Sequence, residues 1–114
     1  MKFYKEVKSN NVVIVPNGEV VSADFKEITA NTVDAAKEKH VPVVSYGDDK
    51  MTVTVGSLEH PMGEDHYIMW IAVVKGDNVQ IQKLNPGDKP IATFEKQEKA
   101  QVYAYCNLHG LWKA

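Results

Sequence analysis

Met51-Thr52-Val53-Thr54-Val55 alternates apolar and hydroxyl side chains one by one. Successive side chains of a strand point to opposite faces, so Met51, Val53 and Val55 share one face and the threonines the other. That is the pattern of a half-buried strand, and it sets the class of the chain around it. Val41-Pro42-Val43-Val44-Ser45-Tyr46 reads as a strand before it, ended by the turn-forming Gly47-Asp48-Asp49. Downstream, the segment from Tyr67 to Val74 is apolar on both faces and reads as a central strand. Lys75-Gly76-Asp77-Asn78 turns the chain into the alternating Val79-Gln80-Ile81-Gln82. After a loop from Asn85 to Pro90, Ile91 to Phe94 and Gln101 to Tyr105 complete the set. Short strands at this spacing, with turn signals between them, predict an all-β sandwich.

The N-terminal region predicts a small β unit of its own. Val12-Val13-Ile14-Val15 is β-branched and stops at Pro16-Asn17-Gly18, and the segment from Glu19 to Phe25 is expected to return beside it as a hairpin. Two strands alone are marginal in water. The unit is therefore expected to lean on the rest of the chain or on a second copy. Asn31 to Lys39 is the one helix-like stretch, with Asn31 or Thr32 as its cap and Pro42 ending it. Val41, before that proline, is pushed toward extended geometry.

The chain has 114 residues, 44% hydrophobic and 25% charged, which fits one globular domain with a small appendage. A net charge of −2 gives no basic footprint for nucleic acid. No apolar run approaches the ~20 residues of a membrane span. The start, Met1 to Lys8, has no signal-peptide core, so the cytoplasm is the expected compartment. A single cysteine, with no disulfide framework, agrees with a reducing environment.

That cysteine, Cys106, precedes His109 by three residues in Tyr105-Cys106-Asn107-Leu108-His109-Gly110-Leu111-Trp112. The remaining histidines are His40, His60 and His66. One sulfur and four imidazoles suit a transition metal. On a straight strand His60 and His66 would lie ~20 Å apart at ~3.3 Å per residue. A shared ion needs donors only ~3 to 4 Å apart. Pro61-Met62-Gly63-Glu64-Asp65 supplies the loop that sharing requires. Cys106 and His109 can clamp an ion with a single turn. All five groups fall at strand–loop junctions.

Three segments resemble the superoxide reductases, the catalytic domain of the desulfoferrodoxin and neelaredoxin family. They are Glu38-Lys39-His40-Val41-Pro42-Val43, then Val55-Gly56-Ser57-Leu58-Glu59-His60-Pro61-Met62 with His66-Tyr67-Ile68 following, and Tyr105 to Trp112. Lys83-Leu84-Asn85-Pro86-Gly87-Asp88-Lys89-Pro90 is similar as well. The resemblance covers residues 33–114 and implies an immunoglobulin-like seven-stranded β-sandwich. It places a mobile loop within residues 33–39, against the helix reading there.

The resemblance further implies one iron ion per chain, held by four imidazoles from His40, His60, His66 and His109 and an axial thiolate from Cys106. The sixth position is open in the reduced state, and Glu38 stands where the family's glutamate fills it on oxidation. Lys39 falls on the family's lysine. The implied reaction is one-electron reduction of superoxide to hydrogen peroxide, with electrons from a small rubredoxin-like donor, in a homodimer. Residues 1–32 resemble the family's N-terminal desulforedoxin-like unit without its four cysteines; Glu6, Ser9, Ser22 and Ala23 stand in their places. By residue type alone Lys39 reads as a solvated lysine in the charged run Lys37-Glu38-Lys39; the resemblance implies that it draws in the superoxide anion and organises a proton-bearing water. The N–H groups of Leu108 and His109 are expected to hydrogen-bond the Cys106 sulfur. Trp70, Tyr67, Tyr103, Tyr105 and Trp112 read as packing. The rival reading is a blue-copper-like electron carrier, which needs only two histidines and a weak axial ligand such as methionine.

Overall fold

Met51, Val53 and Val55 are fully buried and Thr52 and Thr54 half-buried in a computed structural model that describes residues 1–114. They belong to β5 (Lys50–Val55), which lies between β4 (Pro42–Tyr46) and β8 (Ile91–Glu95) in an antiparallel sheet of three. Pro42 sits on an edge strand, where its missing N–H breaks no ladder.

The facing sheet has four strands in the order β10 (Gly110–Lys113), β9 (Gln101–Cys106), β6 (Ile68–Lys75), β7 (Asn78–Lys83). Three and four strands give the seven-stranded sandwich. Its core joins Met51, Val53, Val55, Ala92 and Phe94 of one sheet to Ile71, Val73, Val102 and Ala104 of the other. Full burial of each large apolar side chain is worth ~1.5–3 kcal/mol. Cys106 belongs to this inner face and is completely buried. A β-bulge at Met69 shifts the β6–β9 register between Ile68 and Trp70, just beyond His66. Bulges of this kind re-aim the side chains beside them.

The N-terminal unit is a three-stranded sheet in the order β2 (Val12–Val15), β1 (Lys2–Glu6), β3 (Phe25–Ile28). The expected hairpin between Val12–Val15 and the segment from Glu19 to Phe25 does not form; both β2 and β3 pair with β1 instead. The reason is burial. Phe3 and Tyr4 of β1 are both inside, whereas residues 19–24 are largely exposed and Val21 is 95% so. Val21 and Ala23 meet no surface to bury against, so the segment loops.

Phe3, with Val12, Ile14 and Ile28, packs on Ala72, Val74, Tyr103, Tyr105 and Leu111. These residues form the outer face of the four-stranded sheet, which explains why β6 is apolar on both sides. The N-terminal unit thus leans on its own chain. Phe3 lies 4.7 Å from Tyr103 ring to ring, and the Tyr105 hydroxyl donates to Asn10 Oδ1 at 2.8 Å.

The helix expected over Asn31 to Lys39 is one turn, α1 (Lys37–His40), with no side-chain cap. Asn31 is used elsewhere. It takes φ 63°, and its side-chain amide exchanges hydrogen bonds with Lys113 N and O at 2.9 and 3.1 Å. Its own N–H donates to the Leu111 carbonyl at 3.0 Å. The residue proposed as a cap therefore extends the free edge of β10.

Candidate metal centre

Each of the five side chains is delivered by a separate local device. α1 ends at His40, which the following Pro42 strand fixes in place; His40 is 2% exposed. Gly56 ends β5 with φ +88° and packs against the main chain of α1, where a Cβ would come within 2.8 Å of the Lys39 carbonyl and 2.9 Å of the Glu38 carbonyl. Leu58 N–H then donates to the Glu38 carbonyl at 2.9 Å, and His60 follows, buried. A tight turn, with His66 N–H donating to the Gly63 carbonyl at 3.2 Å, brings His66 back toward His60. Cys106 closes β9, and a short turn places His109 before Gly110, which takes φ +78°.

The four imidazoles form a closed square. Ring centroids of neighbours lie 4.7 Å (His40–His60), 4.6 Å (His60–His66), 5.0 Å (His66–His109) and 4.9 Å (His109–His40) apart, with planes crossing at 75° to 88°. The diagonal His40–His66 is 6.3 Å. One donor atom each from His40, His66, Cys106 and His109 lies within 4.8 Å of all the others. His60 joins through Nε2, which is 3.2 Å from Nε2 of His40. Cys106 Sγ reaches the square from the core side, 3.9 Å from His109 Nδ1. Four of the residues singled out from sequence, His40, His66, Cys106 and His109, therefore converge, and His60 adjoins them beside His40 and His66.

Hydrogen bonds set the tautomers. His40 Nδ1 donates to the Ala36 carbonyl at 2.7 Å, and His60 Nδ1 to the Pro61 carbonyl at 2.6 Å. A neutral imidazole carries one N–H, so Nε2 of both rings is a bare lone pair. His66 Nε2 is buried with no hydrogen-bond partner. Lone pairs aimed at one another inside a protein are costly without a cation between them. Burial is the main cause that holds His40 and His66 below the ordinary imidazole range and pushes His60 down to about 4. The three rings are thus neutral donors near pH 7. Burial also pushes the Cys106 thiol up, opposed by main-chain N–H groups of Leu108 and His109 that bond the sulfur. Those two donors are the ones expected from the sequence.

Asn107 is a site residue that sequence reasoning passes over. Its Oδ1 accepts from Tyr67 N–H at 2.9 Å and its Nδ2 donates to the Asp65 carbonyl at 3.0 Å. It therefore grips the chain on both sides of His66. The only sequence signal is its place between Cys106 and His109.

Lys39 and Glu38 are exposed on α1. The Lys39 charge is felt at both His40 and His66, where it helps lower their proton affinity, and the Glu38 charge acts in the opposite sense on His40. Neither side chain hydrogen-bonds an imidazole.

The family model described as desulfoferrodoxin matches residues 32–114. The chain belongs to the desulfoferrodoxin family. It is 50% identical over 93 residues to a desulfoferrodoxin of Clostridium acetobutylicum, covering 82% of this chain and 74% of that one. It is 46% identical to a desulfoferrodoxin of Desulfarculus baarsii over 100% of this chain and 95% of that one. Among solved structures, the superoxide reductase of Treponema pallidum superposes with a TM-score of 0.79 at 31% identity, covering 100% of this chain and 99% of that one. A superoxide reductase of Thermococcus kodakarensis is 33% identical over 75% of this chain and 91% of that one.

The donor set fits the family's mononuclear iron. Four imidazoles and one thiolate are borderline-soft ligands suited to a redox metal. The unpartnered His66 Nε2 and the opposed lone pairs of His40 and His60 are groups that such a cation would satisfy. The blue-copper reading is not favoured. Four imidazoles converge here instead of two, and the nearby Met62 sulfur is taken by the Ile68 N–H at 3.3 Å. No helix is long and apolar enough to cross a membrane.

Proposed function

We propose that the chain is a superoxide reductase whose iron is held by His40, His60 and His66 through Nε2, by His109 through Nδ1 and by Cys106 through Sγ. The observation that carries this is the His40–His60 contact, two lone pairs at 3.2 Å inside a square of four imidazoles above a buried thiol. When bound, iron supplies the single electron that, with two protons, turns superoxide into hydrogen peroxide.

The chain's residues do the rest. Neutral imidazoles leave the centre's positive charge undiminished, so it attracts an anion. The sulfur enters from the dry core, where, bound as a thiolate, its charge would be little screened by water. Lys39, on the exposed turn, draws superoxide toward the site and holds a water that carries a proton. Glu38, beside it, would supply a carboxylate ligand to the iron in its oxidised form. The Leu108 and His109 N–H groups moderate the charge on the sulfur.

Residues 1–32 are read as a metal-free N-terminal unit and residues 33–114 as the iron-binding domain; the separate sheet of β1 to β3 supports that division. Ser9 Oγ donates to Glu6 Oε1 at 2.6 Å, and Val7 N–H donates to the Asp24 carbonyl at 2.8 Å. These contacts join the segments where the family resemblance would put sulfur ligands. A rubredoxin-like electron donor and a homodimer are proposed from the family resemblance, and a cytoplasmic setting from the single cysteine.

The decisive experiment is metal analysis of the native protein combined with pulse-generated superoxide. Stoichiometric iron, and peroxide formed without dioxygen, is the expected result. Copper with an intense visible band, colourless zinc, or dioxygen evolved alongside peroxide would each overturn the proposal.

A further inference from the structure

Trp112 is 1% exposed and lies on β10, outside the five candidate ligands, yet its indole touches two of them by different means. Its ring stacks on the His40 imidazole with centroids 4.8 Å apart and 28° between planes. Its Nε1–H donates to the His109 main-chain carbonyl at 3.0 Å. A buried indole N–H needs an acceptor. The informative point is which acceptor it takes: the far end of the turn whose Leu108 and His109 N–H groups bond the Cys106 sulfur.

A residue that only filled space would be exchangeable for any large apolar side chain. Trp112 instead ties a ligand near the middle of the chain to the two ligands near its end. His40 arrives on α1 and His109 on the β9–β10 turn, and no other side chain is stacked on one while bonded to the other. The His109 carbonyl closes the turn that carries both N–H groups, so its bond to Trp112 restrains the tilt of the peptides before it. That tilt governs how squarely their N–H groups meet the sulfur. Hydrogen bonds to a metal-bound thiolate withdraw charge from it and tune the metal's potential.

We propose that Trp112 is a positioning residue: it holds the His40 ring and the Cys106–His109 turn in register and so sets the strength of the main-chain hydrogen bonds to the thiolate. The inference rests on the iron-centre reading above.

The test replaces Trp112 site-specifically with 3-benzothienylalanine, which keeps the ring shape and the stack but has no N–H. The iron-loaded proteins are compared by their thiolate-to-iron(III) charge-transfer band, reduction potential and thermal midpoint. The expected result is a shifted band and a lower potential with a nearly unchanged midpoint, since the sulfur regains the charge its donors withdrew. W112F is expected to move the same two readouts and to release iron to a chelator roughly tenfold faster. A band and potential equal to those of the unsubstituted protein, with only the midpoint lowered, would reduce Trp112 to core packing. An unsubstituted protein with no iron-dependent thiolate band would remove the iron centre itself, and the Trp112 role with it.

Discussion

Nε2 of His40 and Nε2 of His60 face each other at 3.2 Å with no proton between them, because each ring has given its N–H to a main-chain carbonyl. This contact has a measurable cost once the metal is stripped away. His40, His60 and His66 are held below the ordinary imidazole value by burial, His60 from 6.5 down to about 4. Below the ordinary value the unfolded chain takes up protons that the folded one refuses. Stability is therefore full above pH 6.5 and declines as pH falls through the window toward 4. His60 alone contributes on the order of 3 kcal/mol to that decline. Urea unfolding of metal-free protein between neutral pH and pH 4 checks it; a flat profile would show that the rings are not buried as neutral donors.

Lys39 lies where its charge reaches His40 and His66 without bonding either. Lys39→Ala is expected to slow superoxide capture roughly tenfold at low salt and to flatten its dependence on ionic strength. Pulse radiolysis across a salt series measures both. A capture rate unchanged at every salt concentration would end the attraction role.

Glu38 is assigned a different part, capping the oxidised centre. Glu38→Ala is expected to change the optical spectrum of the oxidised protein with little loss in the first reaction with superoxide. A spectrum identical to that of the unsubstituted protein would reject it as the sixth ligand.

Asn107 holds the main chain at Asp65 and Tyr67, on either side of His66. Asn107→Ala is expected to leave the sandwich folded but to speed iron loss about tenfold, the usual scale for removing a group that orients a ligand. Competition with a chelator reads this directly, and equal release rates would show that the His66 loop holds its shape unaided.

Gly56 is the point where the main chains of α1 and the β5–β6 connection meet. A Cβ there would overlap the Leu58 carbonyl and crowd those of Glu38 and Lys39, on a backbone with φ +88°. Gly56→Ala is expected to destabilise the protein by roughly 2–4 kcal/mol. Chemical denaturation of the metal-free chain gives the figure, and a loss below the usual surface range of about 0.5 kcal/mol would show that the two loops can part.

The strands of the sandwich were legible because their periodicity is local. Met51-Thr52-Val53-Thr54-Val55 declares its buried face without reference to any partner. The five donors were legible because histidine and cysteine are few. What stayed hidden depends on contacts between distant residues. The β1 strand begins in a charged, alternating segment whose Phe3 is meaningful only against Ala72, Val74 and Tyr103. β10 pairs with β9 through four residues that carry no strand signal beyond Leu111 and Trp112. Asn31 has the composition of a helix cap, but Lys113, far along the chain, competes for its amide and wins. The roles of Asn107 and Trp112 are likewise set across the fold, by Asp65, Tyr67 and His40.

The N-terminal lobe, residues 1–32, carries neither cysteine nor histidine, and a Ser9–Glu6 hydrogen bond stands in one of its turns. On the proposed division of the chain, that lobe would mature with no metallation step of its own, and each polypeptide would draw a single iron atom from a scarce supply. It also exposes no thiol there for the released peroxide to attack. The chain's one sulfhydryl stays sealed in the other lobe.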